Sequence, residues 1–346
     1  MLKNCIDYLR LFIYNNIWKI KVMKGLVSVL MNVNINTVIS KVIQLLIILI
    51  IGIYVRKRGY INSYTVKSLS KFLSHVTNPL LIICSFQIDY SSALLKTGML
   101  ILLGSLVIHI FSCIIAYFVF KPQKGSCENA VYEFNTIFAN CAFMGFPILM
   151  AIYGDQLGVI YGSFYNAIFN VCFWTYGIVV LTRHKVSENG RMKFDIKKLI
   201  FNPGVIATVL GFVLFVTGIK IPVSVLGGLK MVGDSTFPLA MIIIGALVVE
   251  LDFKTAFKDL KFYICAVLKL IAIPLAVLAC CVLLRAPQTV TYVTVILAGM
   301  PSATFGAIFA ELYGTNPVTS AKIVCLTTIL SIGTIPLIIY LTQLFV

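Results

Sequence analysis

Apolar residues in this chain fall into long runs separated by short polar or charged connections. The runs cover about residues 37–55, 66–88, 97–120, 130–152 and 157–181. A polar stretch from Arg183 to Lys198 follows, and they resume at about 200–219, 223–249, 261–284, 289–313 and 318–345. A helix rises about 1.5 Å per residue, so about 20 apolar residues cross a hydrocarbon core about 30 Å thick. The pattern predicts an all-α integral membrane fold of about ten transmembrane helices. Residues 37–182 form a first group of five and residues 200–346 a second. Residues 183–199 form a charged loop between them.

Two of these runs carry helix breakers in their middle. One reads Asn140-Cys-Ala-Phe-Met-Gly-Phe-Pro147 and continues to Tyr153-Gly154. The other reads Gly299-Met-Pro301-Ser-Ala-Thr-Phe-Gly306 and continues to Tyr313-Gly314. A break at membrane depth frees backbone N–H and C=O groups that lipid cannot satisfy. Such breaks are tolerated where protein or a watery cavity meets them, which is where transporters hold solutes. Gly145, Phe146, Pro147, Pro301, Thr304, Phe305 and Gly306 are therefore candidate binding residues together with Asn140. The half-helix after a break offers N–H groups and a positive dipole end. At Phe146–Ile148 and Thr304–Ala307 these would suit a carboxylate, and they are also compatible with a neutral polar solute.

The two groups of five resemble each other. Gly52, Gly59 and Pro79 recur with the same spacing as Gly211, Gly218 and Pro238. Each proline is expected to interrupt its span near the middle, or to serve as a packing kink. Lys and Arg cluster after the first, third, fifth, seventh and ninth runs: Arg56 to Lys71, Lys121 and Lys124, Arg183 to Lys198, Lys254 to Lys261, and Lys322. The opposite side carries only Lys96, Lys220, Lys230 and Arg285. The odd connections, residues 183–199 included, are therefore expected in the cytoplasm and both ends of the ten-helix core outside. Five helices per repeat is an odd number, so the repeats are expected to be inverted.

Composition agrees with a multi-pass protein of the cell membrane. Of the 346 residues 60% are hydrophobic and 12% charged, about half the charge of a soluble domain. The net charge of +16 would suggest nucleic acid, but the basic residues sit at span ends rather than in one patch, so no nucleic-acid partner is expected. Ten scattered Cys show no ligand spacing and read as small buried residues, and no metal or cofactor is expected. Residues 1–36 are read either as an interfacial amphipathic helix or as sequence upstream of a true start at Met23 or Met31. The oligomeric state is open, with a homodimer among the options.

The residues quoted above, with Asn202-Pro203 and Phe237-Pro238-Leu239 to Gly245, resemble the auxin efflux carrier family over about residues 37–345. The resemblance is to its bacterial permease-like members, because the central loop is short. It implies two inverted five-helix repeats whose fourth and ninth helices unwind at prolines and cross where an anion sits. It also implies a relationship in fold to bile acid–sodium symporters and no bound cofactor. By position, Asn140 corresponds to the family's fourth-helix Asn, and Asn170 lies near a site-facing Gln of plant members. The chain departs from the family at Phe305, where bacterial relatives usually have Asn, and at Gly306, where plant members have a second proline. Phe305 makes the site more apolar.

Asn166 joins Asn140 and Asn170 as an amide within an apolar run. Each is either a ligand group or a hydrogen-bonding link between helices. Lys269, about eight residues into the eighth run, either snorkels to the cytoplasm or attracts anions. Glu133, Asp234 and Glu311 are candidates for ion coupling, as are His75 and His109, unless they are merely solvated at span ends. An enzyme would need a nucleophile–base pair, a motif such as HExxH, or clustered acids, and the sequence offers none of these. The expectation is a secondary transporter of a small organic anion, with a channel as the nearer alternative.

Overall fold

The computed structural model describes residues 35–121, 127–183, 201, 203–249 and 259–346. Nearly all of the expected N-terminal extension and of the 183–199 loop lies outside the described residues, as does Asn202. All ten apolar runs are helical. Among the described residues six helices are long and apolar enough to cross a membrane: Ile39–Lys57, Ser92–Val119, Asp155–Thr182, Val223–Val248, Leu260–Leu283 and Pro317–Phe345. Cys141–Tyr153, Pro203–Thr217 and Gln288–Ala298 are shorter apolar helices. The second run is built from Ser63–Phe72, a wide π turn at Leu73–Thr77, and Asn78–Ser85. The runs are numbered one to ten below, in chain order.

Prolines explain most of the irregular turns. A proline lacks an N–H and its ring collides with the carbonyl four residues back. The chain accommodates this by widening the preceding turn. Wide π turns end just before Pro79, Pro147 and Pro274. Pro238 follows a hitch at Ser235, where Val223–Asp234 gives way to Thr236–Val248. Pro79 thus interrupts its helix on the N-terminal side, and Pro336 lies within a helix that continues unbroken.

The packing of one half recurs in the other. Segment one lies against seven, and segment six against two. Three packs on five and eight on ten; four packs on eight and nine on three. Among the described residues the four positive-φ glycines form two matched pairs. Gly59 and Gly218 follow segments one and six, and Gly154 and Gly314 follow segments four and nine. These left-handed positions end helices where other residues would be strained.

The contact between segments one and seven depends on missing side chains. A Cβ at Gly52 would stand 2.5 Å from the Ile242 carbonyl oxygen, and one at Gly245 would collide with the Leu49 carbonyl oxygen. Small residues let membrane helices approach backbone to backbone, where van der Waals packing replaces a hydrophobic driving force. The outward faces of segments one, three and six stay apolar and exposed, as at Ile47, Ile50, Val107, Ile110, Ile114 and Val213. That is the surface expected to meet lipid.

Gly245→Val should therefore greatly reduce the yield of monodisperse protein in size-exclusion chromatography. Gly227→Ala, where an added Cβ meets nothing within 4 Å, should leave it unchanged or raise thermal stability by up to about 1 kcal/mol. Equal behaviour of the two variants would remove this contact from the account of the fold.

Candidate functional site

The two broken segments meet at their breaks. The Asn140 backbone N–H donates to the Pro301 carbonyl at 2.7 Å, and the Ala303 N–H donates to the Phe138 carbonyl at 2.9 Å. Ala139 and Ser302 thus form an isolated antiparallel bridge between segments four and nine. Each break satisfies backbone groups that the other leaves open. Side chains extend the seam. The Asn140 amide donates to Thr304 Oγ1 at 3.0 Å. The Ser302 hydroxyl donates to the Asn135 carbonyl at 2.8 Å, and the Ser302 N–H donates to Thr327 Oγ1 at 3.1 Å. Asn135 in turn bonds Ser320 of segment ten.

A cavity of about 510 Å³ opens beside this seam. That is the size range of small-molecule sites. Of the sequence candidates, Asn140, Asn166, Asn170, Thr304 and Phe305 line it. Asn166 accepts the Cys141 thiol at 3.3 Å. Asn170 is buried, and its amide nitrogen has no hydrogen-bond partner among the described residues. Phe305 stands edge to face with Phe143, ring centroids 5.5 Å apart. Phe169, Phe173, Trp174, Phe309 and Tyr313 complete a largely aromatic wall.

Gly145, Phe146, Pro147, Pro301 and Gly306 do not line the cavity; they build the crossing. A Cβ at Gly145 would strike Leu297 of segment nine, and Phe146 packs onto Gly162. Pro147 is buried in the first turn after the π turn, and Pro301 contributes its carbonyl to the bridge. At Gly306 a Cβ would meet Asn135 Oδ1 at 2.7 Å and Ser320 Oγ at 2.9 Å. The N–H groups expected to face a carboxylate at Phe146–Ile148 are not at a helix start. The helix resumes at Cys141, and the Phe146 N–H already bonds the Cys141 carbonyl. The first turn that faces the cavity is Cys141 to Phe143.

The charged candidates separate. Lys269 does not snorkel; it is 2% exposed, and its ammonium donates to the Ile137 carbonyl at 3.3 Å. Ile137 ends the half-helix Glu128–Ile137, so the cation sits on the negative end of that helix dipole. Glu133 is fully buried rather than solvated. Both its oxygens meet the Arg183 guanidinium, and the Tyr176 hydroxyl donates to it at 2.9 Å. This pair ties segment four to the end of segment five. Asp234 is exposed at the end of Val223–Asp234, away from the crossing. The side chain of Glu311 lies outside the described residues. His109 is buried, with Nδ1 at 2.7 Å from the Ser105 carbonyl, and His75 lies on the cavity wall. Among the described residues no three His, Cys, Asp or Glu are grouped to hold a metal ion.

One wall was largely missed in the reading of the sequence, which singled out only His75 from it. Lys67, Ser70, Lys71, Ser74, His75 and Asn78 of segment two all line the cavity. Their spacing of i, i+3, i+4, i+7, i+8 and i+11 is one face of a helix, and that periodicity was the available signal. Asn78 is buried, and its side-chain carbonyl oxygen is unpartnered among the described residues. The cavity therefore has an amide-rich apex, an aromatic wall and a basic mouth.

Lys269→Met should lower the melting temperature in detergent by a few degrees, since the Ile137 carbonyl loses its donor at a cost of about 1–3 kcal/mol. A rise instead would mean that burying the ammonium costs more than its bond returns.

Comparison with known proteins places the chain among transporters. Residues 37–339 match the family described as membrane transport protein. An uncharacterized transporter of Methanocaldococcus jannaschii is 22% identical over 310 residues, covering 86% of this chain and 96% of the relative. An uncharacterized transporter of Methanothermobacter thermautotrophicus is 24% identical over 300 residues, covering 86% of this chain and 95% of the relative. With most of its length inside that match, the chain belongs to the membrane transport protein family, that of the auxin-efflux-carrier-type permeases.

Proposed function

We propose that this protein is a secondary transporter that moves a small organic anion across the cell membrane by alternating access, with the anion held where segments four and nine cross. The observation that carries this reading is the cavity at the paired breaks. Its lining brings together Asn140, Asn170 and Thr304, with the Asn170 amide nitrogen buried and unpartnered among the described residues, and its exposed mouth carries Lys67, Lys71 and His75. An amide donor at the end of a basic approach is chemistry that suits a carboxylate. The aromatic wall suits an apolar body on the same molecule.

Ten spans in two inverted repeats are supported by the mirrored packing and the matched glycine pairs. The charge pattern supports a cytoplasmic position for Lys67 and Lys71, so the cavity is read as open inward, with both ends of the core outside. Segments one, two, six and seven would form a scaffold. The others, tied together at Glu133, Asn135 and Lys269, would move against it.

A purified sample should melt at a higher temperature with one member of a panel of malate, other dicarboxylates, indole-3-acetate and neutral amino acids, tested with and without sodium. Asn140→Ala should abolish that shift and the saturable flux in proteoliposomes while leaving the chromatographic profile intact. A shift with a neutral solute alone would remove the anion. Flux that does not saturate would favour a channel. Wild-type flux from Asn140→Ala would remove the crossing as the site.

A further inference from the structure

Lys269 is a buried cation without a counter-ion. It stands in the wide π turn Leu268–Ala272 that precedes Pro274. Its hydrogen bond goes to a neutral group, the Ile137 carbonyl. Among the described residues no carboxylate pairs with it. Glu133, the acid nearest to Ile137 in the chain, already meets Arg183. The titratable groups within electrostatic reach of the ammonium are the Cys141 and Cys265 thiols and the His109 ring. None of these is an anion in its ordinary state.

The break in segment four decides where that charge acts. The segment brings two helix ends to the crossing, a negative one at Ile137 and a positive one at Cys141. An anion held there would be attracted by the second and repelled by the first. A helix end is worth about half an elementary charge. A full positive charge on the Ile137 end therefore more than cancels it, and both ends then favour an anion. Ile137 is two residues from Ala139, which lines the cavity together with Asn140 and Cys141. The ammonium thus lies behind the cavity wall and does not line it.

The lysines at the mouth act differently. Lys67 and Lys71 belong to segment two and are exposed, so salt screens them. Lys269 is sheltered from solvent, and its turn packs against segments four and ten. Its field accompanies the crossing, while that of the mouth stays with segment two.

We propose that Lys269 sets the preference of the crossing for anions, acting through its field as a positioning residue that does not touch the solute. The inference rests on the transporter reading above. It adds that selection by charge belongs to the crossing itself and not only to its basic approach.

The test reads the potential at the crossing with two small ionic thiol reagents, sulfonatoethyl methanethiosulfonate and its trimethylammonium-ethyl counterpart. They are applied to the purified full chain bearing Ala142→Cys, a half-buried position on the cavity lining. The unsubstituted protein is the background for the native cysteines. Adding Lys269→Met should lower the anionic-to-cationic rate ratio by about threefold or more, and Lys269→Arg should preserve it. In about 1 M salt the effect of Lys269→Met should persist, while that of Lys71→Gln should vanish. If the Lys269 variants do not fold, Ala142→Cys alone decides. Its anionic preference should survive that salt, and the preference at Ser74→Cys in the mouth should not. A ratio that ignores Lys269→Met, or a preference at Ala142→Cys that salt removes, overturns the role of Lys269 and leaves the transporter reading to its saturable flux. Absence of saturable flux for every anion of the panel would remove the transporter reading and this inference with it.

Discussion

A backbone group inside a membrane must find a partner within the protein, and everything distinctive here follows from how two broken helices meet that demand. Segment four opens at Asn140 and segment nine at Pro301 to Thr304, and each supplies what the other lacks. The bridge is short, so it is reinforced from several sides. Lys269 covers the last carbonyl of one half-helix, Thr327 accepts the Ser302 N–H, and Gly306 leaves room for Asn135 to reach Ser320. Breaking two helices at one depth is costly unless all these partners arrive together. The same arrangement leaves amides beside a cavity.

The polar groups divide into two kinds. Glu133, Asn135, Ser302 and Lys269 are occupied with holding the crossing and its half-helices. Asn170 and Asn78 are buried beside the cavity with polar atoms that nothing among the described residues satisfies. The first kind explains how a membrane protein tolerates such a break. The second kind is what a solute would complete, since an unpaired buried amide costs about 1–3 kcal/mol until something pairs with it. Family membership makes transport the frame for this division; the choice of an anion comes from the basic mouth.

Much of this was legible in the chain. Ten apolar runs and two Gly/Pro breaks pointed to helices interrupted at membrane depth, while the crossing of the two broken segments was implied only by the family resemblance. Asn140, Asn166, Asn170, Thr304 and Phe305 were singled out from burial cost and position, and they line one cavity. What could not be read was which residues of a break face inward. Gly145, Pro147 and Gly306 were read as site residues because they break helices; they lie off the cavity lining, and at the two glycines a side chain would collide with a neighbouring segment. Lys269 looked free to snorkel because its target, the Ile137 carbonyl, is 132 positions away in the chain. The basic wall of segment two was hidden because its lysines counted first as topology signals.

The most direct test of the crossing as a binding site is a cryo-electron microscopy map of the protein saturated with an anion that stabilises it. The account predicts ligand density between Asn140, Asn170 and Thr304, with its charged end within hydrogen-bond distance of the Asn170 amide. Density lodged elsewhere, with the crossing filled by its own side chains, would contradict it.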